Sequence, residues 1–191
     1  MLKKDVKEAI IIKKQILLLD TKIKEVVEII SKKILLGGKI LLCGNGGSAA
    51  DAQHLAAEFL VRLRPGINRQ GIPAISLATD ISTITACAND FDFSKIFSRT
   101  FESLAKQNDV LIAISTTGQS KNILDVLKLS KKKRIFSLGL LGCNGGLAKK
   151  YCDFNLIINS KKTARIQEGH IFIGHYIAGQ IENFLIKKKF I

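Results

Sequence analysis

The stretch "LLCGNGGSAADAQHLAAEFL", residues 41–60, decides how this chain reads. A short apolar run ends in a loop of Gly44, Asn45, Gly46, Gly47 and Ser48, and a helix-like segment carrying His54 and Glu58 follows. Strand, glycine loop, helix is the repeating unit of an α/β protein. Gly44, Gly46 and Ala49 also fit the G-x-G-x-x-G/A fingerprint of dinucleotide-binding folds. That fingerprint needs an acidic residue about 20 positions further on to hold the ribose. Between Glu58 and Asp80 there is no Asp or Glu, so the dinucleotide reading fails.

Working outward, the same alternation recurs. "IPAISLAT" (72–79) reads as a second strand, followed by the helix-like "DISTITACAND". "DVLIAIS" (109–115) is a third strand, with the loop "TTGQS" and the helix "KNILDVLKLSKKK" after it. "RIFSLGLLG" is a fourth, ending in "CNGG"; "FNLIIN" is a fifth, before a long helix over about 163–188. Five short, continuous apolar runs separated by helices predict an α/β fold, a five-stranded parallel sheet with helices on both faces. In such sheets ligands bind beyond the carboxyl ends of the strands, where these loops fall.

Residues 1–36 read as an N-terminal helical segment ahead of a 37–191 domain. Ile12, Ile16, Leu19, Ile23, Val26, Ile30 and Ile34 follow steps of three and four and form one apolar stripe. Gly37 and Gly38 end it. The stripe is expected to pack on a partner subunit. The N-terminus starts basic and turns apolar, but Lys13, Lys14 and Asp20 interrupt it and no small-residue cleavage site follows. With no uncharged apolar run of about 18 residues either, a cytoplasmic protein with no membrane partner is expected. Cys43, Cys87, Cys143 and Cys152 show no C-x-x-C spacing and read as reduced packing thiols.

The net charge of +14 comes mostly from residues 121–191, with 14 basic side chains against four acidic. These are short lysine clusters without interleaved aromatics, read as a solvated surface with no nucleic-acid partner. A positive field still favours an anionic substrate. The loops point the same way. Each of "GNGGS" and "STTGQS" opens a helix, whose first amides lack partners and whose dipole attracts anions. Ser48, Ser115, Thr117 and Ser120 add hydroxyl donors, a combination suited to a phosphomonoester. Hydroxyl residues also cap helices, but two such loops at equivalent strand ends favour phosphate. Neither carries the lysine of a P-loop.

"CGNGGSAADAQHLAAEF", "IPAISLATDIS", "ANDF", "DVLIAISTTGQS" and "TARIQEGHIFIGHYIAGQIE", in this order over about residues 37–185, resemble the sugar isomerase (SIS) superfamily with its flavodoxin-like sheet. Within it they resemble the phosphoheptose isomerase family. The resemblance implies isomerisation of sedoheptulose 7-phosphate to D-glycero-D-manno-heptose 7-phosphate through an enediol, for bacterial heptose and surface glycans such as lipopolysaccharide or capsule. It also implies a homotetramer with active sites at subunit interfaces, and zinc, one ion per subunit. Two alternatives stand beside it: a non-catalytic SIS scaffold binding a replication initiator, and an SIS enzyme acting on another sugar phosphate.

His54 and Glu58, four apart, share a helix face. Spacing alone leaves open a plain surface pair or part of a site. By resemblance Glu58 is the base that moves a proton between C1 and C2, and His175 is its acid/base partner. The resemblance maps zinc ligands onto His54, Glu58, Gln167 and His175. It maps sugar contacts onto Asn45, Gly46, Gly47, Asn89, Asp90, Ser115, Thr116 and Gln167, and phosphate contacts onto Ser48, Ser115, Thr117 and Ser120. Thr117 and Gln119 depart from the family's usual Ser and Asn. Thr117 keeps the hydroxyl, while Gln119 can alter the loop's shape and bears on which substrate fits. His170 reads as a packing or supporting residue. Arg62, one turn beyond Glu58, reads equally as a phosphate contact or a surface charge.

Overall fold

The computed structural model describes residues 2–191. Two N-terminal helices, α1 (Leu2–Leu17) and α2 (Asp20–Leu35), precede the first strand, β1 (Ile40–Gly44). Helix α3 (Gly47–Leu60) leads to the short strand β2 (Ala74–Ser76), then α4 (Ile81–Asp90) and α5 (Ile96–Leu104). The remainder alternates: β3 (Val110–Ser115), α6 (Lys121–Lys133), β4 (Phe136–Gly142), β5 (Phe154–Ile158) and α7 (Thr163–Lys187). All five predicted strands form, in one parallel sheet of order β2-β1-β3-β4-β5. The order reverses between β1 and β3, so the loops after these two strands meet at the topological switch point.

Side chains alternate across the sheet, as a period of two requires. Ile40, Leu42, Val110, Ile112, Ile114, Leu138 and Leu140 face one layer, built from α1, α2, α3 and α7. Leu41, Cys43, Leu111, Ala113 and Leu141 face the other, built from α4, α5 and α6. Burial on both faces explains why the strands read as continuous apolar runs rather than alternating ones.

The N-terminal stripe corrects the sequence reading. Ile12, Ile16, Ile23, Val26, Ile30 and Ile34 are buried within this chain, in the same core as the sheet and α7. The faces of α1 and its turn left exposed carry Leu2, Val6, Ile10, Leu17 and Leu18 instead. Gln15 fastens α1 to the end of β5 by two hydrogen bonds with the Asn159 backbone, at 3.2 and 3.1 Å. Helix α5 has no counterpart among the helices expected from the sequence.

All four cysteines are free. Cys43 is fully buried, and its burial pushes the thiol well up; burial pushes Cys152 up to about 12. Among the described residues, no helix is long and apolar enough to cross a membrane.

Candidate active site

Helices α3 and α7 make a close contact at Gly174. A Cβ there would stand 2.5 Å from Leu55 Cδ1 and 2.7 Å from Cδ2, so any side chain would have to push the buried Leu55 aside. The contact brings the next residues along each helix together. His54 Nε2 lies 2.8 Å from His175 Nε2, and the rings meet edge to face with centroids 5.0 Å apart. Glu58, one turn along α3, puts Oε1 3.4 Å from His54 Nε2. One ligand atom from each of His54, Glu58 and His175 falls within 4.8 Å of the others. At 2.8 Å one Nε2 carries a hydrogen and donates while the other is bare and accepts. Burial first, then the neighbouring His54, depress the His175 pKa, while Glu58 acts the other way.

The two expected phosphate loops also adjoin. Asn45, after β1, and Asn122, in the first turn of α6, exchange reciprocal amide bonds of 2.9 and 2.8 Å. Ser48 and Ser115 are buried at the loop bases. Ser115 Oγ accepts from the Gly118 amide at 3.0 Å, and Thr117 Oγ1 accepts from the Gln119 amide at 3.2 Å. Ser120 is the N-cap residue of α6, yet its side chain makes no capping bond. Its hydroxyl is therefore not spent on the helix it precedes.

The loop after β4 braces the loop after β3 from behind, backbone against backbone. A Cβ on Gly118, whose φ is +66°, would strike the Gly145 carbonyl. One on Gly142 would strike that of Thr116, and one on Gly146 that of Thr117. The Ala148 amide donates to the Gly118 carbonyl at 2.9 Å.

Gln167, in the second turn of α7, sets its side-chain amide against Gly47 so closely that any Cβ at Gly47 would collide with it. Gln167 thus reaches the β1 loop from the helix that bears His175. Asn89 and Asp90 close helix α4. They hydrogen-bond to each other at 2.9 Å at the end of α4, and Asp90 lines a cavity of about 630 Å³ with Thr79, Asp80, Thr83 and Arg99. No other expected site residue lines that cavity. Arg62 is exposed beyond the end of α3.

His170 is fully buried on α7, and neither ring nitrogen makes a well-formed hydrogen bond, with the Leu141 carbonyl at best a weak acceptor. Burial pushes its pKa down to about 4, against a smaller opposing effect of the Leu141 carbonyl. It lies inside the protein rather than in the open part of the site, consistent with its reading as a supporting residue. Asn122 was missed by the sequence reading. Its partner is 77 positions away, and the available signal was an amide two residues after Ser120 in a loop already singled out.

The sequence matches the SIS domain family over residues 7–141. It is 47% identical to the phosphoheptose isomerase of Clostridium acetobutylicum over 167 residues, covering 87% of this chain and 84% of that one. It is 51% identical to the Campylobacter concisus phosphoheptose isomerase over 146 residues, 76% of each chain. A phosphoheptose isomerase structure from Francisella tularensis superposes with a TM-score of 0.90 at 31% identity, covering 95% of this chain and 96% of that one. One from Neisseria gonorrhoeae gives 0.87 at 34%, covering 96% and 100%. The fold and the sequence identity over most of the chain agree: the chain belongs to the phosphoheptose isomerase branch of the SIS domain family.

Proposed function

We infer that this chain is an aldose–ketose isomerase that converts sedoheptulose 7-phosphate to D-glycero-D-manno-heptose 7-phosphate. The observation that carries the reading is the convergence of His54, Glu58 and His175 within 4.8 Å, on α3, which opens from the β1 loop, and α7, whose Gln167 reaches the same loop. In the ketose the carbonyl is at C2. Glu58 takes a proton from C1 as His175 gives one to the C2 oxygen, which yields the enediol. Glu58 then returns its proton to C2 while His175, deprotonated in the first step, takes the C1 hydroxyl proton, which leaves the aldehyde at C1 and restores both groups. Gly46, Gly47, Asn45, Ser115, Thr116 and Gln167 hold the sugar, and Ser48, Ser115, Thr117 and Ser120 hold the phosphate. Hydroxyls and helix-end amides suit a phosphate because they donate to it without requiring a buried counter-charge.

Two imidazoles and a carboxylate converging on one point are the donor chemistry of a zinc site. His54, Glu58 and His175, with Gln167, would hold one zinc per subunit. When bound, the metal keeps both imidazoles neutral and polarises sugar oxygens. Dialysis against a chelator is expected to lower the melting temperature, and added zinc to restore it; an unchanged melt in metal-loaded and stripped protein would count against the site.

The assembly we propose is a homotetramer in the cytoplasm with active sites at its subunit interfaces. Residues 1–36 contribute to its packing through the exposed Val6, Ile10, Leu17 and Leu18 rather than through the buried stripe. Asp90 lines a cavity that none of His54, Glu58 and His175 lines, which supports its serving, with Asn89, a neighbour's site. Light scattering that gives a monomer would end this part of the reading. The heptose would enter a surface glycan such as lipopolysaccharide or a capsule.

The deciding experiment is incubation with sedoheptulose 7-phosphate, following the aldose C1 proton by NMR. Absence of turnover on this and other ketose phosphates would return the chain to the class of non-catalytic scaffolds.

A further inference from the structure

Arg69 lies in the irregular segment between α3 and β2, yet its side chain is only 1% exposed. Its guanidinium bonds in four directions. Nε donates to Glu182 Oε2 at 2.5 Å, and Nη2 donates to the Glu58 carbonyl at 2.9 Å. Nη1 donates to the carbonyls of Phe59 at 3.0 Å and Gln70 at 2.8 Å. Glu182, on α7, is equally buried, and its other oxygen accepts from Arg64 Nε at 2.7 Å. Arg64 reaches on to Asn183 of the same helix.

We propose that Arg69 and Glu182 are positioning residues for the isomerisation, a brace that fixes Glu58 on α3 relative to His175 on α7. The inference rests on the roles given to those two residues above. The Glu58 and Phe59 carbonyls belong to the last turn of α3, where a helix leaves carbonyls without internal partners. A simple cap would need only an arginine on those carbonyls. Here the same guanidinium is also held by Glu182, seven residues and about 10.5 Å along α7 from His175. The helices run in the same direction at this point: His54 meets His175, and Glu58 is tied through Arg69 to Glu182. The Gly174 contact sets how closely the helices approach, and the brace sets how far one can slide along the other.

Energetics argue that the brace serves geometry. Taking an ion pair out of water carries a desolvation penalty, and apolar replacements of similar volume are often neutral or stabilising. A planar, forked donor is suited to bridging a carboxylate and several carbonyls at once; an ammonium is not.

The test is the paired variant Arg69→Met with Glu182→Leu, which removes both charges and leaves neither buried alone. The expected result is a melting temperature close to that of the parent, with kcat lowered by about tenfold to a hundredfold and KM within about threefold, as for a catalytic group misplaced by about 1 Å. A crystal structure of the variant should show Glu58 displaced along α7. Arg69→Lys should reproduce the loss of kcat, because it keeps the charge but not the fork. Glu182→Gln keeps the shape and one of the two acceptor oxygens, which can serve the buried Arg69 while the amide turns toward the partly exposed Arg64, so it should retain most of the parent's kcat. A paired variant with the parent's kcat and an unmoved Glu58 overturns the proposal. If the parent itself fails to turn over the ketose phosphate, the isomerase reading falls, and the position of Glu58 in the variant crystal still decides the brace. Should the paired variant not fold, Arg69→Lys and Glu182→Gln decide it by the same two readouts.

Discussion

Acidification should reveal His170. Unfolded, its imidazole takes up a proton near pH 6.5; in the folded protein, burial holds it neutral until about pH 4. Between those values the unfolded chain binds more protons, so unfolding becomes easier as pH falls. The full stability is present above pH 6.5 and is lost progressively down to about pH 4. A gap of about 2.5 units corresponds to about 3 kcal/mol at 1.36 kcal/mol per unit, a large part of a typical domain's stability. His175 is shifted in the same direction, so the curve of the parent alone does not isolate His170. The comparison is with His170→Phe, by urea denaturation at several pH values from 7.5 to 4.5. Phe is expected to match or exceed the parent at pH 7.5, since it removes two buried polar atoms that no well-formed hydrogen bond satisfies. At pH 4.5 its advantage should have widened by about 2–3 kcal/mol. Parallel curves would refute the reasoning, for they would mean that the imidazole titrates alike in both states.

Glu58→Gln keeps size and shape but removes the base, so turnover should fall about a hundredfold or more in a folded protein. His175→Gln should act likewise, and the pair should lose less than the product of the two effects, as read from steady-state kinetics. Ser120→Ala should raise KM more than it lowers kcat, by the equivalent of about 1–3 kcal/mol; sedoheptulose without its phosphate should be a very poor substrate in the same assay. Gly174→Val drives a side chain into Leu55 and should cost about 1–3 kcal/mol or more in a denaturation experiment, while parting His54 from His175.

The architecture was legible because a doubly covered parallel sheet writes itself as apolar runs, and because each run ended in glycine or hydroxyl residues. β2 is only three residues long, and it was still found, since Ile72, Ala74, Ser76 and Leu77 are buried around it. The helical stripe was read correctly as apolar and given the wrong neighbour. Periodicity reports that a face must be covered, not whether α7 of the same chain or another subunit covers it. His54 and Glu58 shared a helix face that spacing could expose. Their approach to His175 depends on a contact between Leu55 and Gly174, which no local pattern encodes. Arg69 and Glu182 were overlooked for the same reason. They lie 113 residues apart, and Arg69 sits where no periodicity singles it out.

The glycine-on-glycine seam behind the β3 loop has a consequence for anyone who would retune this protein. Where two main chains touch, there is no side chain to shorten or enlarge, so the outline of that pocket wall cannot be altered in small steps. A mutant library spread over Gly118, Gly142 and Gly146 should return mostly misfolded clones. One confined to the exposed Gln119 leaves the wall standing and varies what projects from it. A wall already held in place also loses little conformational freedom when an anion docks. Sugars that differ in length or stereochemistry at the far end would thus be sorted against a stationary anchor, like keys cut differently on a common bow.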